Sequence, residues 1–536
     1  MLVAVMVCVL LLNGCAMRDA EMPPRGSRVG VSLPEVPSSS STAPVLDTRD
    51  RVPARQEPPR GPLEITARDA VMLALENNRG LAVERLNPVI AAGDEAQERA
   101  AFDPVLFAEG AADVNRYELR SGGYRTDKAT SISAGVSEYL PTGTEVEVDL
   151  STERSWGSAT REQHAARAGL TVTQALLQGR GLAPNLASLR QARLDAQISE
   201  YELRGYAEAL VATVERTYWD YVLANQQVEI FSESLKLAEQ QLKETNQRIT
   251  VGDLAETERA AAQAELALRK EALINARSRV AALGVQLLRM VDPERCRAGE
   301  DTITPRTEPF VPEEALDAVE DHVTLAMAMR PDLGHARLLI QRSDLELVKT
   351  KNGLLPRMDL FITLGATGYA HSFGHAVGNL PNNGYDVGAG VRFEFPAINR
   401  QAKARHYQAR VTRGQYRLAL RNTEDLVRED VKTAYIEVQR ARQQVDATAA
   451  TRRFSEEKLR AETAKFHVGK STALLVATAQ RDLVSSQVSE VEAVTTYLKA
   501  LIELYRLDGS LLVRRGIAAP GLTALSDRET IPRDRE

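Results

Sequence analysis

The chain has 536 residues, of which 43% are hydrophobic and only 5% aromatic, and its formal net charge at neutral pH is −6. Charges of both signs are interspersed along it, which excludes the basic surface that a nucleic-acid-binding protein needs. Many Ala, Leu, Arg, Glu and Gln residues favour long helices over a core filled with aromatic rings. The length alone suggests three or four globular domains, but the internal repeats described below argue against that number.

The N-terminus is typical of an export signal. Residues 2–12 are apolar but too few to cross a bilayer as a helix, and Leu12-Asn13-Gly14-Cys15 follows them. This ending resembles the lipobox of bacterial lipoproteins, whose cysteine becomes lipidated, although no Lys or Arg precedes it. An ordinary secretory signal is the alternative. We predict a signal peptide over residues 1–15 with lipidation at Cys15, and by resemblance Ala16 favours sorting to the outer membrane.

Residues 16–62 are rich in Pro, Ser and Arg, a composition that cannot bury enough apolar surface to fold. We predict that they form a disordered tether. Beyond the tether, Cys296 is the one remaining cysteine, so no intrachain disulfide is expected if Cys15 is lipidated.

The second half of the chain repeats the first. At a shift of 217 positions, Thr217-Tyr218 aligns with Ala434-Tyr435, and at a shift of 252 positions Pro104 aligns with Pro356. We predict a first structural repeat over residues 63–291, a connecting segment over 292–314, a second repeat over 315–510 and a C-terminal tail over 511–536. The shift falls from 252 to 221 between Pro104 and Gly169, which indicates an insertion of about thirty residues there.

Each repeat is predicted to begin with short helices, which cover residues 66–78 and 81–101 in the first repeat and 315–329 and 333–353 in the second. Thr66 is the expected N-cap of the first helix, with Asp69 three residues later completing a capping pattern. Pro104 and Pro356 then end the helical segments.

Apolar and polar residues alternate after each proline, which predicts strands over residues 145–150, 166–173, 358–364 and 387–395. Such alternation fits a barrel wall between lipid and water, and it also fits a half-buried sheet of a soluble protein. The insertion contains a turn at Pro141–Gly143. It either adds a strand pair to the sheet or forms a surface hairpin, and the sequence leaves the number of barrel strands open.

Two long helices follow, over residues 186–250 and 401–467, with apolar residues at steps of three and four. At 1.5 Å per residue each is a rod of roughly 100 Å. Each rod reverses at a Val-Gly pair, Val251-Gly252 or Val468-Gly469, and a second helix returns to residue 290 or 506.

Three motifs carry a resemblance to a known family. Thr173–Gly181 is similar to the strand exit of TolC-like proteins, with Ala175 where proline is usual, and Phe393–Arg400 is similar to its second-half counterpart. The Val-Gly turns are similar to the helical-hairpin tips. Over nearly all of residues 62–510 the chain resembles the TolC-like outer-membrane efflux protein family, and it resembles the lipoproteins among those outer membrane factors.

The resemblance implies a mainly α fold with a membrane β-barrel portion. A duplicated unit of short helices, a strand pair and a long helical hairpin would build a trimeric α-barrel and a shared β-barrel. The implied function is a passive exit duct in the outer membrane of a Gram-negative bacterium, with most of its mass in the periplasm. Its partners would be itself as a homotrimer, a periplasmic adaptor (membrane fusion protein), an inner-membrane transporter and outer-membrane lipid, but no nucleic acid.

Such a duct would serve a tripartite efflux or type I secretion system, with cargo and transporter class undetermined. The alternative is an envelope-anchored trimeric coiled-coil structural or adhesive protein. An enzyme is not expected. The seven His are scattered, and Gly469-Lys470-Ser471 lacks the leading glycine of a phosphate-binding loop, so neither a metal nor a cofactor is predicted.

Two sets of site residues follow from the resemblance. The adaptor-docking tips would be Val251, Gly252, Asp253, Leu254, Val468, Gly469, Lys470 and Ser471. Well-known family members have gating aspartates just past the second tip, where this chain has Leu475 and Thr478. Glu256 and Glu258, past the first tip, are the candidate periplasmic gate, and solvated surface carboxylates are the alternative.

Overall fold

The computed structural model describes residues 63–518, apart from residues 121, 158–161, 253, 300–301, 313–315, 382–383 and 469. The predicted signal peptide with Cys15 and the predicted tether lie outside the described residues. So do Asp253 and Gly469 of the predicted tips and most of the predicted tail.

The elements of the first half are, in chain order, β1 (Leu63–Ile65), α1 (Ala67–Asn77), α2 (Arg79–Glu84), α3 (Asn87–Ala100), β2 (Val105–Glu118), β3 (Tyr124–Leu140), β4 (Thr144–Gly157), β5 (Gln163–Ala175), α4 (Leu182–Asn185), α5 (Ala187–Thr250), α6 (Thr257–Val291), α7 (Pro293–Ala298) and β6 (Ile303–Pro305). Those of the second half are α8 (Val319–Met329), α9 (Pro331–Asn352), β7 (Arg357–Ala370), α10 (Phe373–Gly378), β8 (Tyr385–Glu394), α11 (Arg400–His467), α12 (Ala473–Leu507) and α13 (Leu511–Arg514).

The short helices begin where the sequence signals are strongest. The predicted capping box of α1 forms, because the Asp69 amide donates to Thr66 Oγ1 at 3.1 Å and the Thr66 amide donates to Asp69 Oδ2 at 3.1 Å. The single helix predicted over 81–101 is wrong, since it divides into α2 and α3. Pro88 lies in the first turn of α3, where its missing N–H costs nothing.

The long rods have the predicted form. Helix α5 has 64 residues and α11 has 68, so each spans roughly 100 Å. Helix α5 packs along α6 and α12, and α11 packs along α12, so the two hairpins lie side by side. Among the described residues, no helix is long and apolar enough to cross a membrane.

The main sheet has six strands in the order β2-β3-β4-β5-β7-β8, and every neighbouring pair is antiparallel. The insertion therefore adds a strand pair to the sheet, which was one of the two alternatives that the sequence left open. Gly143 makes the β3–β4 turn at φ 84°, and a Cβ there would lie 2.2 Å from the carbonyl oxygen of Gly179. Only glycine fits this close approach.

A second, two-stranded sheet was not predicted. Strand β6 of the connecting segment pairs in parallel with β1, so that Leu63 lies opposite Ile303. Two buried tyrosines of α5 fasten it, because Tyr218 donates to the Ile65 carbonyl at 3.1 Å and Tyr221 to the Ile303 carbonyl at 2.6 Å. The sequence pattern misses these strands because each has only three residues.

The hydrophobic core lies where the short helices meet the rods. Tyr218 of α5 and Leu287 of α6 are fully buried in it, and so is Leu511 of α13. The first residues of the segment predicted as a tail therefore form α13, which packs in this core. A second cluster joins Val431 of α11 to Leu504 of α12.

Candidate functional site

One face of the six-stranded sheet carries mostly polar and small residues, with a few large apolar side chains such as Phe107 and Phe361. Residues paired across an antiparallel sheet share a face, so the registers define this polar face throughout. Its charged members are Glu109, Asp113, Arg125, Asp127, Glu145, Glu147, Asp149, Glu153, Arg167, Arg357, Asp359, Asp386, Arg392 and Glu394. The face carries more acidic than basic groups, and most of the acidic ones come from β2, β3 and β4.

The opposite face carries a broad band of apolar side chains, the apolar face. Its large members include Leu106, Ile132, Val136, Val148, Leu150, Leu170, Ile362, Leu364, Val387 and Val391. Many are strongly exposed, with Leu106 at 82% and Val387 at 67%. In a soluble protein such a face would be covered, since large contiguous apolar patches mark interaction surfaces.

A short helix covers one end of the apolar face. Helix α10 packs on β5 and β7, and a Cβ at Gly368 would lie 2.1 Å from the carbonyl oxygen of Ala376. Ala166, paired with Gly368, is buried beneath it. Ala166 and Gly368, two small residues paired across β5 and β7, thus leave room for α10 to pack on the sheet.

Strands β2 and β8 form the two edges of the sheet, and almost all their residues are exposed. An even number of antiparallel strands makes these edges run in opposite directions. They could therefore pair with each other in an antiparallel manner between copies. Unpaired edges would otherwise template aggregation.

The first hairpin tip is a tight glycine turn. Gly252 has φ 87°, and its amide donates to the Ile249 carbonyl at 3.1 Å. Val251 beside it is 73% exposed, while Leu254 is half-buried. The predicted tip residues described here thus lie together at the α5–α6 reversal.

The second tip is stabilised by one side-chain and one backbone hydrogen bond. Ser471 Oγ donates to Glu462 at 2.8 Å, and Lys470 donates through its amide to the Lys465 carbonyl at 2.8 Å. Hydrogen bonds from Lys465 and then Ser471 hold the pKa of Glu462 below its usual range. Val468 is 67% exposed.

The two tips are neighbours in the protomer. The Arg248 guanidinium of the first hairpin stacks over the Phe466 ring of the second, 5.0 Å from its centroid. Farther along, Arg481 of α12 donates to Glu265 of α6 at 3.0 Å. A cavity of about 80 Å³ separates the hairpins at this level. The predicted tip residues that the structure describes therefore lie at the same end of the two hairpins.

The candidate gate residues lie just past the first tip. The Glu256 side chain is 81% exposed and pairs with Arg259 at 3.3 Å, whereas Glu258 lies in the first turn of α6. A carboxylate there is also favoured by the helix dipole, which is a purely structural role. At the second tip Leu475 is exposed and the Thr478 hydroxyl is bonded to the Leu474 carbonyl.

A buried ion pair on α5 was missed by sequence reasoning. Arg204 donates to Glu208 at 3.0 Å, and both side chains are almost inaccessible. Burial raises the pKa of Glu208 from 4.5 to about 7, although Arg204 opposes the shift. An i,i+4 pair of opposite charge is so common on exposed helices that its burial cannot be read from the sequence.

No group of three or more His, Cys, Asp or Glu residues in the described part of the chain is placed to hold a metal ion.

Residues 323–510 match the family model described as outer membrane efflux protein. This part of the chain is similar to the outer membrane efflux protein family. The match runs from α8 past the end of α12 and includes the second strand pair and the second tip. It confirms the family expected from the sequence motifs, which is a family of passive channels and not of enzymes.

The fold is also similar to solved structures of outer membrane channels and of an outer membrane protein. The Campylobacter jejuni CmeC outer membrane channel is 14% identical with a TM-score of 0.63, covering 83% of this chain and 86% of that one. The Neisseria gonorrhoeae MtrE outer membrane channel in its open state is 18% identical with a TM-score of 0.59, covering 83% and 89%.

The outer membrane protein VceC of Vibrio cholerae is 15% identical with a TM-score of 0.61, covering 83% of this chain and 96% of that one. These likenesses extend over both repeats and confirm a mainly α fold with a β portion. A search of the curated proteins by sequence gives no match.

Proposed function

We propose that the protein is a trimeric outer-membrane channel, the passive exit duct of a tripartite efflux or type I secretion system. It lies in the outer membrane of a Gram-negative bacterium, with the rods in the periplasm. The observation that carries the proposal is the six-stranded sheet, which has one exposed apolar face, one polar face and two unpaired edges. Lipid and water on opposite sides of a barrel wall require this division.

The unpaired edges support assembly. In a bilayer every backbone polar group must be satisfied, so an open sheet cannot stand alone there. Pairing β8 of one protomer with β2 of the next joins the edges in the antiparallel sense. Three copies of the six-stranded sheet then close a barrel of 18 strands.

The helices offer matching surfaces for the same arrangement. Helix α3 packs against α5, α5 against α9, and α9 against α11. Helices α3 and α11 are therefore the two ends of a four-helix layer. Both ends have exposed apolar side chains, Val89 and Ile90 on α3 and Val411 and Leu418 on α11. Contact between the two different ends is heterologous, and such contacts generate a ring when the rotation between neighbours closes, as a three-copy barrel requires.

The hairpin tips are the proposed docking site for a periplasmic adaptor, which would link the duct to an inner-membrane transporter. Val251, Val468 and Leu474 expose apolar side chains at this end of the rods. Residues Val251, Gly252, Asp253, Leu254, Val468, Gly469, Lys470 and Ser471 make up the proposed surface. An adaptor of helical-hairpin type could bury these side chains along the groove between the hairpins.

Glu256 and Glu258 are the proposed acidic ring at the periplasmic mouth. Three copies would place six carboxylates there, a site that attracts cations. Replacing both with Gln should abolish block of the single-channel current by divalent cations. Unchanged block in the double variant would assign both residues a structural role at the start of α6.

Planar-bilayer recording tests the channel proposal. The full chain, purified as a trimer and added to one side, should give stable single-channel conductance. A folded trimer without conductance would support the alternative, an envelope-anchored trimeric coiled-coil structural or adhesive protein. That alternative shares the rods but gives no reason for the exposed apolar face of the sheet.

Lipid anchoring is proposed separately. Mass spectrometry of the mature protein should find Cys15 as a lipidated N-terminal residue. A free N-terminus at another position would identify an ordinary secretory signal instead.

A further inference from the structure

Three basic side chains extend the apolar face at the end of the sheet away from the rods. They are Arg116 of β2, Lys128 of β3 and Arg154 of β4, which we call the cationic cluster. Lys128 lies opposite Trp156 on one side and Val114 on the other, and Arg154 lies opposite Thr130. The cluster belongs to the strands of the insertion and their immediate partner.

The register fixes which face these side chains share. Arg116, Lys128 and Arg154 lie an even number of residues from Leu106, Ile132 and Leu150 on their respective strands. Side chains at even separations point to the same side of a strand. The cluster therefore borders the apolar face and does not line the polar one.

The surroundings of the cluster are aromatic. The Arg116 guanidinium lies 4.2 Å from the centroid of the Tyr124 ring, and that of Arg154 lies 4.8 Å from the centroid of the Trp156 ring. Tyr and Trp beside basic residues are typical of the boundary between hydrocarbon and headgroups. The end of the apolar face is thus built as a membrane interface.

The charged groups of the cluster are only weakly engaged by other residues of the protein. Lys128 is exposed and makes no hydrogen bond or ion pair with any residue that the structure describes. Arg154 pairs with Glu162 at 2.7 Å, but both side chains are about half exposed, so this pair is weak and exchangeable. The acidic residues on this side of the same strands are Glu118, at the last position of β2, and Glu138, toward the opposite end of β3.

We propose that the cationic cluster binds the phosphate groups of an anionic lipid headgroup in the outer leaflet. Neighbouring members lie on adjacent strands and are offset by two residues along the strand direction. Their Cα atoms are therefore about 8 Å from each other. That spacing lets one headgroup with two phosphates engage two or three of them. The adjoining apolar face receives the acyl chains, which a soluble phosphate lacks. This inference rests on the proposed membrane function.

The test uses the full-chain trimer and a diphosphorylated lipid A as the probe. The trimer is placed in phosphatidylcholine nanodiscs with increasing lipid A, and retained lipid is counted by native mass spectrometry. We expect R116Q/K128Q/R154Q to weaken retention about a hundredfold, because each basic residue near such a surface contributes about a fivefold change in affinity. K128Q, which removes no described contact, should weaken it about fivefold.

The matched control is R125Q/R167Q/R392Q, which removes three charges from the polar face of the same sheet and should retain lipid A as the unchanged protein does. Equal retention by the cluster variant and the unchanged protein would overturn the inference. So would displacement of lipid A by millimolar inorganic phosphate, or equal retention of a fully dephosphorylated lipid. Single-channel conductance of the same samples separates the proposals, since a conducting trimer with unchanged retention contradicts only the lipid site.

Discussion

At the scale of single residues, burial gives ordinary side chains unusual properties. Glu208 and Arg204 are an ion pair within α5 that is shut off from solvent. The guanidinium also donates to the Gly509 carbonyl at 3.3 Å, which links the rod to the segment that follows α12. Burial is costly for both charges, and the pair offsets only part of that cost.

The raised pKa of Glu208 predicts how stability depends on pH. Because folding raises this pKa from 4.5 to about 7, the folded protein holds a proton that the unfolded chain has released. The resulting stabilisation is complete below about pH 4.5 and is lost as the pH rises to about 7, by on the order of 3 kcal/mol.

Thermal midpoints of the detergent-solubilised protein between pH 4.5 and 8 measure this effect. The fall in midpoint with rising pH should be smaller in Glu208→Gln than in the unchanged protein, because Gln does not titrate. The same slope in both proteins would show that other groups cause it.

Gly252 is the residue on which the first tip depends. Its φ of 87° is disfavoured for residues with a Cβ, but nothing lies within 4 Å of a Cβ built there. Replacement by Trp should therefore cost only about 1–2 kcal/mol locally and leave the trimer intact. A bulky ring at the tip should nevertheless block export. The measurement is the sensitivity of cells to the compound that the system exports. Gly299→Trp, at a position that also has a positive φ of 74° and open space around a Cβ but lies beyond α7, is a comparison for general effects of a new ring. Normal export by the Gly252 variant would contradict the docking role.

At the scale of elements, the sheet is defined by its two faces. Leu150 and Ser151 are neighbours on β4 and point to opposite sides. One side has the apolar residues of five other strands, and the other has serine, threonine and carboxylate groups. A charge should thus have opposite consequences at these two positions.

Leu150→Arg should prevent membrane insertion, since a basic residue facing lipid near the bilayer centre costs about 2–4 kcal/mol and three copies are present. Ser151→Arg, facing water, should insert normally. The measurement is the fraction of heat-modifiable trimer in the outer-membrane fraction. Equal insertion of both variants would show that the apolar face does not meet lipid.

At the scale of the whole molecule, the strand pair from the insertion increases both the number of strands and the acidic charge of the sheet. Most acidic groups of the polar face lie on β2, β3 and β4, among them Glu147 and Asp149. In the proposed trimer each is present three times around one lumen. A wall with an excess of one sign of charge concentrates ions of the other sign.

The trimer should therefore conduct cations in preference to anions. Reversal potentials in a tenfold KCl gradient measure the preference, and Glu147→Gln/Asp149→Asn should reduce it. The effect should weaken as salt rises, because screening shortens the reach of the charges. A selectivity that is identical in the variant would place the determining charges elsewhere in the pore.

The sequence by itself determined the repeated plan. Proline, glycine and apolar spacing are local signals, so the rods, the Val251-Gly252 turn and the Thr66 cap could all be predicted from neighbouring residues. The family motifs also depend on order along the chain, and the match over residues 323–510 includes the second-half motifs, Phe393–Arg400 and the Val468-Gly469 turn.

Only the tertiary structure decided which strands pair and what becomes buried. Whether the insertion joined the sheet depended on registers between residues far apart in sequence, such as Asp127 opposite Gly157. The three-residue strand β6 is a strand only because it pairs with β1. The pKa of Glu208 is raised only because other elements bury this part of α5. Pairing and desolvation are properties of non-local contacts, which the pattern of one segment does not contain.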